Sequence, residues 1–256
     1  MIKVAFFDVD GTLLPLGQDK VPESTRRSIN KLREKGIKVV VSTGRNIKEL
    51  QKLPIFQLDF DGFLTLNGQL CMDQELQVIA GTPIDPEETK ILLGIFKAKK
   101  IPFLLINEHN RYINYVDDIV VDTQNNTNGT IPEIGEYHGE KIYQVVSFVT
   151  PHQRELLTDL LDECAITSWN ETGIDIIARG GGKAKGIEEY LKVHGMKAEE
   201  AIAFGDGEND IGMLQYVSIG VAMGNAGDNV KAVADYVTDD SDKDGIEKAL
   251  IHFGII

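Results

Sequence analysis

Two acidic clusters, Phe6-Phe7-Asp8-Val9-Asp10-Gly11-Thr12 and Phe204-Gly205-Asp206-Gly207-Glu208-Asn209-Asp210, each follow an apolar run in this 256-residue chain. Such runs read as buried parallel strands, and carboxylates at the carboxyl ends of parallel strands stand where α/β sheets bind ligands. Two segments far apart in the chain are therefore expected to build one acidic site. Converging carboxylates repel one another, and a hard divalent cation with oxygen ligands relieves the repulsion. Magnesium is the natural candidate, with Asp8, Asp10 and Asp206 as ligands. Polar turns capping strands would explain each cluster singly, since turns favour Asp, Asn and Gly. They do not explain both clusters together with the residues that lie between them.

Asp8 and Asp10, two residues apart at a strand end, suit a nucleophile and a general acid. A carboxylate attacking phosphorus gives an aspartyl-phosphate and splits one hard step into two easier ones. Its neighbour then protonates the leaving alcohol and later deprotonates water. Thr43 ends the run Val39-Val40-Val41 and precedes Gly44, so its hydroxyl and the backbone N–H groups that follow suit phosphoryl oxygens at a helix start. Lys183 follows the run Gly180-Gly181-Gly182 in an otherwise acidic protein and fits a point charge for phosphate, with Lys185 as a competitor. Asp206 is assigned to the metal and Asn209 to phosphate or to Lys183. Asp210 is expected to support metal waters or orient Lys183, unless Asn209 and Asp210 only cap the next helix.

The elements that must position these groups alternate. Strand Ile2 to Phe7, helix Glu23 to Lys35 and strand Ile37 to Val41 make a βαβ unit, hence parallel, with Pro22 and Gly36 as punctuation. A short helix to about Leu53 follows, then a strand from Gly62 to Leu66, the hairpin turn Asn67-Gly68 and a strand around Leu76 to Ala80. The character shifts at Gly81-Thr82-Pro83. Helix Pro86 to Lys99, with an Asp85/Glu88 capping box, opens a block of hairpins and helices. It includes strands Pro102 to Ile106 and Tyr112 to Val116, a polar stretch Asp122 to Gly129, strand Ile142 to Val149, and helix Pro151 to Glu163 with its own Thr150/Gln153 box. Strands near Ile166 to Trp169 and Ile174 to Ala178 close the block. From Lys183 the βα alternation resumes, with helix Gly186 to His194, strand Ala201 to Gly205 and helix Ile211 to Gln215. The expected fold is α/β: a doubly wound parallel sheet from residues 1–81 and 181–256, with an α+β cap, residues 82–180, inserted as a lid.

Composition narrows the partners. With 26 basic against 40 acidic residues and a net charge of −14, the chain lacks the basic footprint of a nucleic-acid binder. No apolar stretch approaches the ~18 residues of a membrane span. Cys71 and Cys164 form neither a disulfide framework nor a zinc pattern and read as core residues, so a cytoplasmic setting is expected. Monomer and homodimer both remain open.

As a set, DVDGTLL at Asp8 to Leu14, STGR at Ser42 to Arg45, TLNGQ at Thr65 to Gln69, the Lys183 region, GDGENDIGML at Gly205 to Leu214 and VAMGNA at Val221 to Ala226 are specific. They resemble the haloacid dehalogenase-like superfamily, in its Cof-type phosphatase branch with an inserted α/β cap. The resemblance implies Asp8 as nucleophile and Asp10 as acid/base with its backbone carbonyl on magnesium. It also implies Thr43, Lys183 and Asn209 on phosphate and Asp206 on magnesium. Where many relatives carry Lys-Gly, Lys183-Ala184-Lys185-Gly186 offers two lysines, and spacing from helix residues Ile187 to Leu191 favours Lys183. The expected activity is magnesium-dependent hydrolysis of small phosphate monoesters such as sugar phosphates. A phosphomutase or phosphotransferase, or an idle phospho-metabolite sensor, are the rivals. Glu108 to Tyr112 and Trp169 are candidate selectivity surfaces, with a core role as their plainer reading.

Overall fold

The computed structural model describes residues 1–126, 130–168 and 170–256. The chain divides into two compact units, Met1–Gly81 with Gly182–Ile256, and Thr82–Gly181. The first contains β1 (Val4–Phe7), α1 (Glu23–Glu34), β2 (Lys38–Ser42), α2 (Ile47–Leu50), β3 (Gly62–Thr65), β4 (Leu70–Asp73) and β5 (Val78–Gly81). The second contains α3 (Pro86–Ala98), β6 (Phe103–Ile106), β7 (Arg111–Ile113), α4 (Asp118–Asn126), β8 (Gln144–Phe148), α5 (Pro151–Leu160), β9 (Cys164–Ser168) and β10 (Gly173–Ala178). The chain then returns to the first unit with α6 (Lys183–Val193), β11 (Ala201–Gly205), α7 (Ile211–Tyr216), β12 (Ile219–Ala222), α8 (Asp228–Lys231), β13 (Tyr236–Val237) and α9 (Gly245–His252).

Among the described residues the first unit holds an eight-stranded sheet in the order β13-β12-β11-β1-β2-β3-β4-β5. From β13 to β3 every pairing is parallel; β3–β4 and β4–β5 are antiparallel. β1 is buried along its whole length, as a strand covered on both faces must be. On one face Val4 and Phe6 pack with Ile187, Tyr190, Met213 and Leu214 of α6 and α7. α1 packs with β2 and α9, burying Ile29, Leu32, Ile246 and Leu250. Helices on both faces make the sheet doubly wound. β1, flanked by β2 and β11, lies where the strand order reverses, so its carboxyl end opens on the crevice such sheets use for ligands.

In the second unit a five-stranded antiparallel sheet, β7-β6-β8-β10-β9, carries its own apolar core. Leu92 and Phe96 of α3 and Leu157 of α5 pack there on Phe103, Leu105, Val145 and Ile176. The Thr150/Gln153 capping box is formed.

Several elements differ from expectation. The strand that closes the Asn67-Gly68 hairpin is β4, which the expectation lacked; the strand expected around Leu76 to Ala80 is present as β5, paired with β4, and begins after Leu76, which sits in a turn at φ 62°. The stretch expected to be polar loop is helical through Asn126, because Val120 and Thr123 give α4 a buried face. Glu88 makes no capping box: Asp85 alone caps α3, while the buried Glu88 accepts the Glu163 N–H at 3.2 Å. α6 begins at Lys183 rather than Gly186. Residues 127–129 and Trp169, and with it that candidate selectivity residue, lie outside the described residues.

Candidate active site

Asp8 follows β1 and is 6% exposed, its N–H donating to the Phe204 carbonyl at 2.9 Å. That bond extends the β1–β11 ladder by one residue and brings the ends of the two acidic segments together. Lys183 Nζ donates to Asp8 Oδ1 at 2.6 Å and to Asp210 Oδ1 at 2.5 Å, all three residues being buried. A cation at a helix start opposes the macrodipole by about 0.3–1 kcal/mol, so these two carboxylates, not helix stability, explain the lysine there. Burial alone would push the Lys183 ammonium down, but Asp210 and Asp8 outweigh it and raise it, so it stays charged. Lys185 instead pairs with Glu188 and Glu189 along its own helix.

Asp210 starts α7 without a capping bond from its side chain. Its Oδ2 accepts the N–H groups of Asp206 and Gly207, each at 2.9 Å. One carboxylate thus shapes the Asp206 turn with one oxygen and holds Lys183 with the other. Asp206 Oδ1 accepts the Thr12 hydroxyl at 3.0 Å, and its Oδ2 accepts Asn225 Nδ2 at 3.1 Å. Gly11 reaches φ +87°, and a Cβ there would collide with the Asp206 carboxylate; only glycine lets the two loops approach this closely.

The Asp10 carboxylate is held by a bidentate fork, Arg45 Nε to Oδ2 at 2.7 Å and Arg45 Nη2 to Oδ1 at 2.8 Å. Arg45 was visible only as the last letter of STGR; an arginine just past a strand in an acidic chain is the signal that marks it. Thr43 is buried after β2, where its hydroxyl accepts the Arg45 N–H at 3.2 Å. The helix that follows, α2, is capped by Asn46, which forms a capping box with Glu49. Gly44 lies against Asn67, and Asn209 Nδ2 donates to Asn67 Oδ1 at 2.9 Å. Asn67, read from sequence as a turn residue, is buried at φ 55° and ties the Asn209 loop to the β3–β4 turn.

Carboxylate oxygens of Asp8, Asp206 and Asp210 lie within 4.8 Å of one another. The Asp10 side chain is directed to Arg45 instead. Burial pushes the Asp8 carboxyl up against the pull of Lys183, with Asp210, Asp206 and Asp10 adding to the rise. Asp206 is pushed up to about 6 by burial and by Asp210. Four carboxylates against the two cations Lys183 and Arg45 leave two negative charges uncompensated. An all-oxygen donor set with that deficit fits a hard divalent cation.

Residues 5–250 match the family model of haloacid dehalogenase-like hydrolases. The chain belongs to that family. Over its whole length it is similar to a Bacteroides thetaiotaomicron phosphatase of the superfamily, BT1666, at 32% identity and a TM-score of 0.92, covering 96% of that chain. The subclass IIB sugar phosphatase BT4131 matches 99% of this chain at 35% identity, with a TM-score of 0.86 and all of its own length covered. The 5-amino-6-(5-phospho-D-ribitylamino)uracil phosphatase YcsE of Bacillus subtilis is 30% identical, over 98% of this chain and 96% of its own. Family and relatives make the chain an enzyme of the phosphatase branch, a phosphoric monoester hydrolase. No helix among the described residues is long and apolar enough to cross a membrane.

The sequence-selected stretch 108–112 lines a cleft of about 570 Å³ in the second unit. There Tyr112 donates its hydroxyl to Glu140, which also accepts from Asn107 Nδ2 at 3.2 Å.

Proposed function

We propose that this phosphatase is magnesium-dependent and hydrolyses small phosphate monoesters, sugar phosphates first among them, through a phosphoryl-Asp8 intermediate. The observation that carries the reading is the buried Asp8 at the carboxyl end of β1, with Oδ1 held by Lys183 at 2.6 Å. Lysine keeps that carboxylate oriented and limits its repulsion of an incoming dianion. The remaining oxygen, Oδ2, is assigned to attack phosphorus.

In the first step Asp8 Oδ2 bonds to phosphorus, the phosphorus–oxygen bond to the leaving alcohol breaks, and Asp10 gives that oxygen its proton. In the second, water yields a proton to Asp10 and bonds to phosphorus, and the Asp8–phosphorus bond breaks to release inorganic phosphate. Asp10 must leave the Arg45 fork to serve both steps. Thr43, Gly44, Lys183 and Asn209 are assigned to the phosphoryl oxygens, where positioned donors meet charge developing in the transition state. Magnesium, held by Asp8 and Asp206 with the Asp10 backbone carbonyl and supported by Asp210, would supply further neutralisation of phosphoryl charge. Residues 82–180 are proposed as the cap that reads the leaving group. The named substrates of the relatives, a sugar phosphate and a phosphoribitylaminouracil, support the substrate class. A cytoplasmic setting accords with two buried free cysteines whose thiols burial pushes up to about 12.

The test is phosphate release from a panel of sugar, nucleotide and cofactor phosphates, with and without magnesium, for wild type and Asp8→Asn. Metal-dependent turnover that drops by about a thousandfold or more in the variant is expected, as for loss of a covalent nucleophile. Turnover that persists in Asp8→Asn, or that ignores the metal, would refute the reading.

A further inference from the structure

We propose that Asn225 is a positioning residue that sets the metal affinity of the site by holding the Asp206 carboxylate; this rests on the magnesium reading above. Asn225 lies in the turn that follows β12, closed by an Ala226 N–H to Met223 carbonyl bond at 3.0 Å. Its Oδ1 accepts the Ser241 N–H at 2.9 Å. Its Nδ2 donates to the Gly11 carbonyl at 2.9 Å and to Asp206 Oδ2 at 3.1 Å.

Chemistry fixes this orientation. A backbone N–H only donates, so the amide oxygen must face Ser241, and a carbonyl and a carboxylate only accept, so the NH₂ must face Gly11 and Asp206. A flipped amide would lose all three bonds. One side chain therefore joins three loops that are far apart in sequence: the segment after β1, the turn after β11 and the segment carrying Ser241.

The effect falls on Asp206. Thr12 takes one of its oxygens and Asn225 the other, so the carboxylate cannot rotate freely. Each oxygen has two lone pairs, so one on each stays open for a cation while the donors fix the plane. The Gly11 carbonyl is tethered by the same amide, which keeps the loop between Asp8 and Thr12 in register with Asp206. Without Asn225, Asp206 keeps only the Thr12 bond on its side chain, and a cation must pay to order the carboxylate that now arrives ordered. Partners of this kind carry 10–100-fold in metal affinity.

The test is calorimetric titration of the metal-free full chain with magnesium alone, for wild type, Asn225→Ala and Asn225→Leu. Leucine keeps most of the bulk and removes the donors. The expected result in both variants is a magnesium Kd raised about 10–100-fold in a chain that still folds, with the metal-free melting temperature lowered by the loss of the three hydrogen bonds. A Kd within twofold of wild type in either variant would overturn the proposal. A raised Kd in Asn225→Ala that Asn225→Leu restores would also overturn it, because packing rather than the hydrogen bonds would then be the cause. A wild-type chain that binds no magnesium would sink the magnesium reading itself, an outcome separate from any difference between the variants.

Discussion

Replacing Lys183 by methionine removes the cation shared by Asp8 and Asp210 while nearly preserving volume. Both carboxylates are buried, and the ammonium contacts them at 2.6 and 2.5 Å with none of its side chain exposed. Stripping one partner from a buried ion pair costs about 3–5 kcal/mol. A second route to the magnitude agrees. If one carboxylate escapes by taking a proton, holding it protonated at pH 7 against an ordinary value of ~3.9 costs about 4 kcal/mol, at 1.36 kcal/mol per unit. For a chain of this size the loss corresponds to a fall in melting temperature of about 10 °C or more. The same reasoning fixes the pH dependence. At pH 5 that protonation costs only about 1.5 kcal/mol, so the defect must shrink by more than half on acidification. Urea unfolding of the metal-free protein at both pH values, with Lys185→Met as control, measures this. Lys185 makes exposed pairs, and its loss should stay within about 0.5 kcal/mol. A Lys183→Met defect under 1 kcal/mol at pH 7, or one unchanged at pH 5, would refute the shared counter-charge.

Gly11→Ala forces a side chain into the left-handed region and onto the Asp206 carboxylate; it should cost about 1–3 kcal/mol of stability and weaken magnesium binding, and unaltered binding by calorimetry would contradict the close approach of the two loops. Metal affinity should also follow pH. With Asp206 at about 6, above its unfolded value, its protonated form persists to higher pH in the folded state. This group therefore stabilises the metal-free fold progressively as pH falls from about 6 towards 4. The cation needs the ionised form, so its apparent affinity should drop about tenfold from pH 7.5 to pH 5. An affinity flat across that window would refute the combination of a raised Asp206 carboxyl with a ligand role.

Much of the frame could be read from the chain because parallel strands in a doubly wound sheet are continuous apolar runs, and carboxylates at their ends stand out. β1, β2 and β11 were legible for that reason, and Asp8, Asp206 and Lys183 with them. β4 was missed because Leu70-Cys71-Met72-Asp73 is short and its partner, β3, comes just before the turn. α4 was missed because its polar half hides the two residues that bury. Arg45, Thr12, Asn67 and Asn225 are ordinary turn residues by composition. Their importance comes from partners 35 to 214 positions away, a relation local pattern cannot express. Lys183 and Lys185 differ only by helix phase, and an assignment of α6 beginning at Gly186 placed both outside the helix that separates them.

The central strand completes its pairing late. A ribosome delivers β1 well before one of its two neighbours, β11, which follows only after about 190 further residues at roughly 5–20 residues per second. Until then one edge of β1 presents unpaired N–H and C=O groups, and Phe6 waits for Tyr190 and Met213. Such an edge is a template for wrong pairing. The nascent chain is chemically silent for the same interval, since Asp8 acquires Lys183, Asp206 and Asp210 only once about 200 residues beyond it have been made.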